Sequence, residues 1–237
     1  MKKREIKVCL TPDLFHLYSD RKSLVVVVDI LRATSAICIA IENNAKRVVP
    51  VSSVEEALDY KDRENHLLAA ERNGKKVRGF KYGNSPLEYY NMDMSGKTLV
   101  LTTTNGTKTI NIAKRDHDTI IGSFANMTAL IKFLKLSTKN IILLCSGWRG
   151  SVNIEDTIFC GAVSDALLKS PKFCTHDDSV LIARNLFLSN NLLKIISKSS
   201  HSFRLSDNKI SKDVKFALKQ NLTKKIPFVK GSCIQAL

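Results

Sequence analysis

Short apolar runs recur along the chain, each ending abruptly on polar residues and leading into a segment with helical spacing. The clearest is Leu24–Val28, LVVVV, which stops at Asp29 and passes through Arg32-Ala33-Thr34-Ser35 into an apolar helix over 34–41. A continuous β-branched run suits a strand covered on both faces, as in a parallel sheet. The pattern returns at 98–101, where the polar end Thr102-Thr103-Thr104-Asn105-Gly106-Thr107 opens a helix over 107–113. It returns again at Ile141–Cys145, followed by a glycine-containing loop over 146–153 and a helix from Ile154-Glu155-Asp156 through 168. Segments 6–10, 46–51 and 119–123 read as further strands, with Pro50 marking an edge or a strand end. Residues 52–55 read as a capping box opening a helix toward Tyr60, and 126–134 as another helix. The polar stretch 72–86 is long for a plain connection, and such loops often bind ligands. Past Pro171 the signals thin to amphipathic helices over 177–197 and 213–220 and a last short strand over 226–229.

Repeated strand–helix alternation predicts an α/β fold: three layers, α/β/α, around a mainly parallel sheet. Right-handed crossovers would place the polar strand ends on one edge, where such sheets keep their ligands. A shift of 73 positions superposes Val27, Thr34, Ile37, Ile39 and Ala40 on Val100, Thr107, Ile110, Ile112 and Ala113, which leaves an internal strand–turn–helix repeat open. No low-complexity linker divides the chain, so residues 1–237 read as a single domain.

Composition narrows the function classes. Hydrophobic residues make up 44% and charged residues 25%, as in a globular protein, and the apolar runs are too short to span a bilayer. The basic start MKKREIKVCL lacks the apolar stretch of a signal peptide. Six cysteines without a CxxC pair point to a reduced, cytoplasmic setting. The net charge of +15 would draw in anions, but the basic residues are scattered and no nucleic-acid-binding motif accompanies them. A surface that draws in small anions fits as well as nucleic acid does, and charge alone decides nothing. Without such a motif no nucleic-acid partner is expected, nor a membrane one, and a homo-oligomer is left open.

Collected on one edge, Asp29, Arg32, Thr34, Thr104, Asn105, Thr107, Glu155 and Asp156 combine carboxylates, hydroxyls, an amide and a guanidinium. The loop adds Glu71, Arg72, Asn73, Asn84 and Ser85. Clustered carboxylates suit a hard cation such as Mg²⁺, while hydroxyls, glycine N–H groups and arginine suit phosphate. Each piece also has a plain reading: Glu155-Asp156 as first-turn helix acids, Gly83-Asn84-Ser85-Pro86 as a turn, and Thr102–Thr104 as strand residues. No GxxxxGK[ST] is present, which argues against an ATP-type phosphate loop. His16, His66, His117, His176 and His201 lie in no motif, which argues against a histidine nucleophile. Leu31 replaces the second acid of the haloacid-dehalogenase DxD, which excludes that family.

Five segments in order resemble one family. They are Asp29-Ile-Leu-Arg-Ala-Thr34, Glu71-Arg-Asn-Gly74, Gly79-Phe-Lys-Tyr-Gly-Asn-Ser-Pro86, Thr103-Thr-Asn-Gly106 and Glu155-Asp156, and the chain is similar through them to the 2-phosphosulfolactate phosphatase (ComB) family. The resemblance runs on to Lys225-Ile-Pro-Phe228. It implies a Mg²⁺-dependent hydrolase converting 2-phospho-3-sulfolactate to 3-sulfolactate and phosphate, a reaction of coenzyme M biosynthesis. Lys81 departs from the acid common in that loop, and Asn43-Asn44 from a glycine common before Ala45-Lys46-Arg47. On this reading Asp29, Glu155 and Asp156 bind Mg²⁺, and Asp29, Arg32 and Glu71 are catalytic, Glu71 as ligand or general base. Thr34, Ser35, Arg72, Asn84, Ser85, Thr104, Asn105, Gly106, Thr107 and Arg149 would bind substrate, with Arg72 or Arg149 taking the sulfonate or carboxylate. The alternatives are a phosphatase for another small phosphorylated hydroxyacid, and a non-catalytic basic module that binds anions or nucleic acid.

Overall fold

Leu24 and the four valines after it form a strand buried at every position, and the rest of the fold is laid out around it. The computed structural model describes residues 3–189, 191–200 and 208–237; Met1, Lys2 and His201 lie outside them. In chain order the first elements are β1 (Arg4–Cys9), α1 (Phe15–Tyr18), β2 (Leu24–Val28), α2 (Ala33–Glu42), β3 (Arg47–Pro50), α3 (Val54–Leu58), β4 (His66–Arg72) and β5 (Lys75–Lys76). Then come β6 (Thr98–Thr102), α4 (Gly106–Ala113), β7 (Thr119–Gly122), α5 (Met127–Leu136), β8 (Ile141–Cys145), α6 (Ile154–Leu168) and β9 (Phe173–Cys174). The chain ends through α7 (Asp178–Leu188), α8 (Leu192–Ser197), α9 (Asn208–Ala217), β10 (Pro227–Lys230) and β11 (Cys233–Ala236).

The strands join in one mainly parallel sheet of order β5-β4-β6-β3-β11-β10-β7-β2-β8-β1-β9. Two parallel blocks, β4-β6-β3 and β7-β2-β8-β1-β9, are bridged by the antiparallel hairpin β10–β11. The last strand expected over 226–229 is β10; β11, not expected from the sequence, pairs with it, and both sit in the middle of the sheet. Each joint is a single pairing, Phe228 to Ile120 and Ile234 to Val48. Short joints let the sheet bend there. In a flat sheet β6 and β2, five places apart, would be about 24 Å from each other. Instead α4, which follows β6, packs on β2.

The bend wraps the sheet around α2. One apolar cluster combines Val25 and Val27 of β2, Val48 of β3, Leu99 and Leu101 of β6 and Ile110 of α4 with Ile37 and Ile41 of α2. All of α2 but its last residue is buried, which explains why its apolar residues run round the helix rather than along a stripe. The alternate residues Val26 and Val28 face the opposite side, where α5, α6 and α7 form the outer layer. A smaller cluster with Ala57 and Phe80 covers the outer face of the first block.

Several boundaries differ from the sequence expectation. Asn73 and Gly74, both with positive φ, turn β4 back into β5, so the polar stretch begins as a hairpin. The cap of α3 is Ser53 with Glu56, one residue later than the box expected at 52–55. The helix expected over 177–197 is two, α7 and α8, and Asn191 caps the second from the left-handed region. The helix expected over 213–220 is α9, which starts earlier and places Asp213 inside it.

Candidate active site

The polar ends of β2, β4, β6 and β8 meet on one side of the bent sheet. Turn hydroxyls set the backbone there. Thr34 Oγ1 donates to Asp29 O at 2.8 Å and accepts from Asp29 N–H at 3.0 Å. Thr107 and Thr103 make the equivalent clamp after β6, at 3.2 and 3.1 Å. Asp29 follows β2 with its Oδ1 accepting from Ala33 N–H at 3.2 Å. Glu71, at the end of β4, accepts from Gly74 N–H and from both the N–H and the hydroxyl of Thr104. It thereby ties the hairpin turn to the loop after β6.

Asp156, fully buried in the first turn of α6, takes Ile30 N–H at 2.8 Å on Oδ1. Its Oδ2 faces Ser146 and Gly147 N–H at 3.2 and 3.3 Å, so one carboxylate ties the end of β2 to the end of β8. Burial, followed by the charges of Asp29 and Glu155, pushes the Asp156 carboxyl well above the usual carboxylate range. Of the three acids expected together, Asp156 is thus within electrostatic reach of both Asp29 and Glu155.

A narrow inner cleft, about 10 Å³ in volume, is lined by Asp29, Leu31, Arg32, Glu71, Gly74, Asn84, Asn105 and Trp148. It admits one water-sized group: an ion, a water or a single phosphoryl oxygen. Arg32, 8% exposed, donates from Nη1 to Asp213 Oδ2 at 2.6 Å and from Nη2 to Gly74 O at 2.6 Å. Ser85 donates to the other Asp213 oxygen. Asn84 is 5% exposed, and its Oδ1 accepts no hydrogen bond from the described residues.

Asn105 also lines a larger outer pocket of about 330 Å³, with Pro12, Asp13, Thr104, Lys108, Thr109, Ser146, Arg149 and Gly150. Asn105 Oδ1 accepts from Arg149 N–H at 3.1 Å, and Arg149 Nη2 donates to Asn73 Oδ1 at 2.5 Å. Ser146 Oγ is buried and unpartnered among the described residues. Two cations, Lys108 and Arg149, stand here against the single acid Asp13.

Some expected residues sit apart from both spaces. Ser35 is turned to Ile30 O and Ser123 Oγ. Arg72 folds back on Glu71 O and Thr102 Oγ1. Thr34 and Thr107 are spent on the turn clamps, and Glu155 and Asp156, both expected as metal ligands, are fully buried and do not line the cleft. Lys108, Ser146, Trp148 and Asp213 were missed from sequence. Trp148, next to Arg149 in a glycine loop, carried the one usable signal; Asp213 carried none, because its partner is 181 residues away.

The donors of the inner cleft fit Mg²⁺. Among the described residues no group of three or more His, Cys, Asp or Glu could hold a metal ion by itself. Mg²⁺, however, usually takes one or two carboxylates and completes its shell with water and substrate oxygens. Asp29 and the unpartnered Asn84 Oδ1 supply hard oxygens of that kind. Both Asp156 oxygens face backbone N–H groups, which suits an outer-shell role.

A family model described as 2-phosphosulpholactate phosphatase matches residues 9–232. A protein of Thermotoga petrophila named probable 2-phosphosulfolactate phosphatase is 42% identical over 204 residues, 85% of this chain and 87% of that one. Proteins of the same name from Caldanaerobacter subterraneus and Clostridium tetani are 36% and 35% identical, each over 89% of this chain and over 89% and 91% of their own lengths.

Proposed function

This chain belongs to the 2-phosphosulfolactate phosphatase family, and from that we propose that it hydrolyses 2-phospho-3-sulfolactate to 3-sulfolactate and phosphate with Mg²⁺ bound at Asp29. One juxtaposition carries the reading. Asp29 and Arg32 line a cleft sized for one oxygen or one ion, and this cleft shares Asn105 with a cationic pocket sized for a small molecule. The phosphoryl end would reach past Asn105 toward Asp29, while Lys108 and Arg149 would receive the carboxylate and sulfonate. No helix among the described residues is long and apolar enough to cross a membrane.

Water adds to phosphorus, and the bridging oxygen leaves with the bonding electron pair and takes up a proton. Bound Mg²⁺ supplies Lewis-acid charge that favours the crowded oxyanion. Arg32 donates to the same oxygens, and Asn105 orients them. Glu71 acts by fixing Thr104 and Gly74, and Asp156 by fixing the ends of β2 and β8. A second path, attack by the Asp29 carboxylate itself, uses the same placement and predicts a phosphoaspartate that can be trapped.

The test is a phosphate-release screen of 2-phospho-3-sulfolactate and other phosphorylated three-carbon acids, with Mg²⁺ and with EDTA. Release from the sulfonated acid alone, lost in EDTA, is the expected result. Release from a different acid moves the substrate, and release unaffected by EDTA removes the metal. No release from any of them, with salt-sensitive RNA binding instead, favours the non-catalytic reading.

A further inference from the structure

Asp213 belongs to no motif, yet this one acid of α9 is 3% exposed, and its carboxylate ends on two residues of the candidate site. One oxygen takes Arg32 Nη1 at 2.6 Å and the other takes the Ser85 hydroxyl. With Gly74 O on Nη2, the guanidinium is held at two nitrogens, and Nε takes part in neither bond. We propose that Asp213 is the positioning residue for Arg32, so that α9 supplies the part of the active site that fixes where the phosphoryl anion is received.

The physical need is electrostatic. Asp29 and Arg32 line the same narrow cleft, and an unrestrained guanidinium there would pair with the Asp29 carboxylate and fill the space meant for substrate. Asp213, which does not itself line the cleft, offers a competing carboxylate. It also neutralises a charge that is nine-tenths buried and would otherwise be costly to keep. The Ser85 bond stops the Asp213 carboxylate from rotating, and it places the loop that carries Asn84 against the same wall. A purely structural ion pair would contribute stability and leave substrate handling unchanged.

This inference rests on the function proposed above, in which Arg32 meets the phosphoryl group, and the experiment separates the two. Steady-state phosphate release is measured for Asp213→Asn, Asp213→Glu, Arg32→Lys and the Asp213→Asn/Arg32→Lys double variant. Quenching of Trp148, the single tryptophan, is followed in parallel with inorganic phosphate as the probe. The expected result is a fall in kcat/KM of about 100-fold for Asp213→Asn, the scale of a misplaced catalytic group, with partial recovery in Asp213→Glu. In the Arg32→Lys background the same change should cost less than about twofold, because the group being positioned is gone. Equal losses in both backgrounds would overturn the proposal. So would a folded Asp213→Asn variant with wild-type kcat/KM and phosphate affinity. Should Asp213→Asn fail to fold, Ser85→Ala takes its place, keeping both charges and removing only the restraint on the carboxylate. A several-fold loss that vanishes with Arg32→Lys supports the proposal, and no loss overturns it. Absence of phosphate release from the wild type defeats the phosphatase reading alone; the phosphate titration then decides whether Asp213 acts through Arg32.

Discussion

Gly106, the first residue of α4, lies so close to Asp29 that a Cβ placed on it would stand 2.4 Å from Asp29 Oδ2 and 2.4 Å from the Ala33 Cβ. The missing side chain is what lets α4 approach the carboxylate. Gly106→Ala therefore has to push Asp29 or α4 aside. The expected outcome is a loss of about 1–3 kcal/mol in unfolding free energy. Phosphate release should fall by about 100-fold, as for a catalytic group moved by a fraction of an ångström. Chemical denaturation and steady-state kinetics on the same preparation check both.

Asp29 should be where metal, stability and turnover meet. Saturating Mg²⁺, at about 100 times its dissociation constant, contributes about 2.7 kcal/mol to the folded state, or roughly 5–10 °C in Tm for a chain of this size. Asp29→Asn should abolish that shift and lower kcat by at least about a thousandfold, while leaving far-ultraviolet circular dichroism unchanged. Differential scanning fluorimetry with and without Mg²⁺ reads the first effect. A metal-induced shift that survives in Asp29→Asn would place the ion elsewhere.

Substrate capture should weaken with ionic strength. Lys108 and Arg149 face the outer pocket and the chain carries a net charge of +15, so a multiply anionic substrate is drawn in over distances that salt screens. We expect kcat/KM to fall several-fold between about 0.05 and 0.5 M salt with kcat nearly constant. Lys108→Ala should lose part of that slope. A flat profile would remove steering from the account.

The α6–α7 contact gives a stability prediction with a pH sign. The Asp165 carboxylate holds Lys169 at 2.7 Å and Arg184 of α7 at 3.0 Å, and the Lys169 bond leads the causes that lower its pKa below the ordinary 3.8. A lowered folded-state value means the unfolded chain binds the proton more readily. The stabilisation is therefore complete above about pH 4 and is lost as pH falls through the folded value. Asp165→Asn should cost about 1–3 kcal/mol at pH 7 and progressively less below pH 4, as urea denaturation at both pH values will show. Gly161 marks the same contact as tight, since a Cβ there would come within 2.0 Å of Ala183 O.

Much of this protein is readable from its residues in order. Continuous β-branched runs such as Leu24–Val28 suit strands covered on both faces, and the polar residues that end them point to the functional edge. Thr34 and Thr107 were rightly read as strand-end residues, although their hydroxyls close the turns rather than face the cleft. The tertiary structure alone decided which strand ends meet. Single pairings at Phe228 and Ile234 let the sheet bend about α2, and that bend brings Gly106 against Asp29 across five strand positions. It also decided what stands behind the site, for Asp213 reaches Arg32 from a helix near the other end of the chain. Local periodicity records which faces are apolar. It holds no record of which distant charges share one buried space, because that depends on how the layers close.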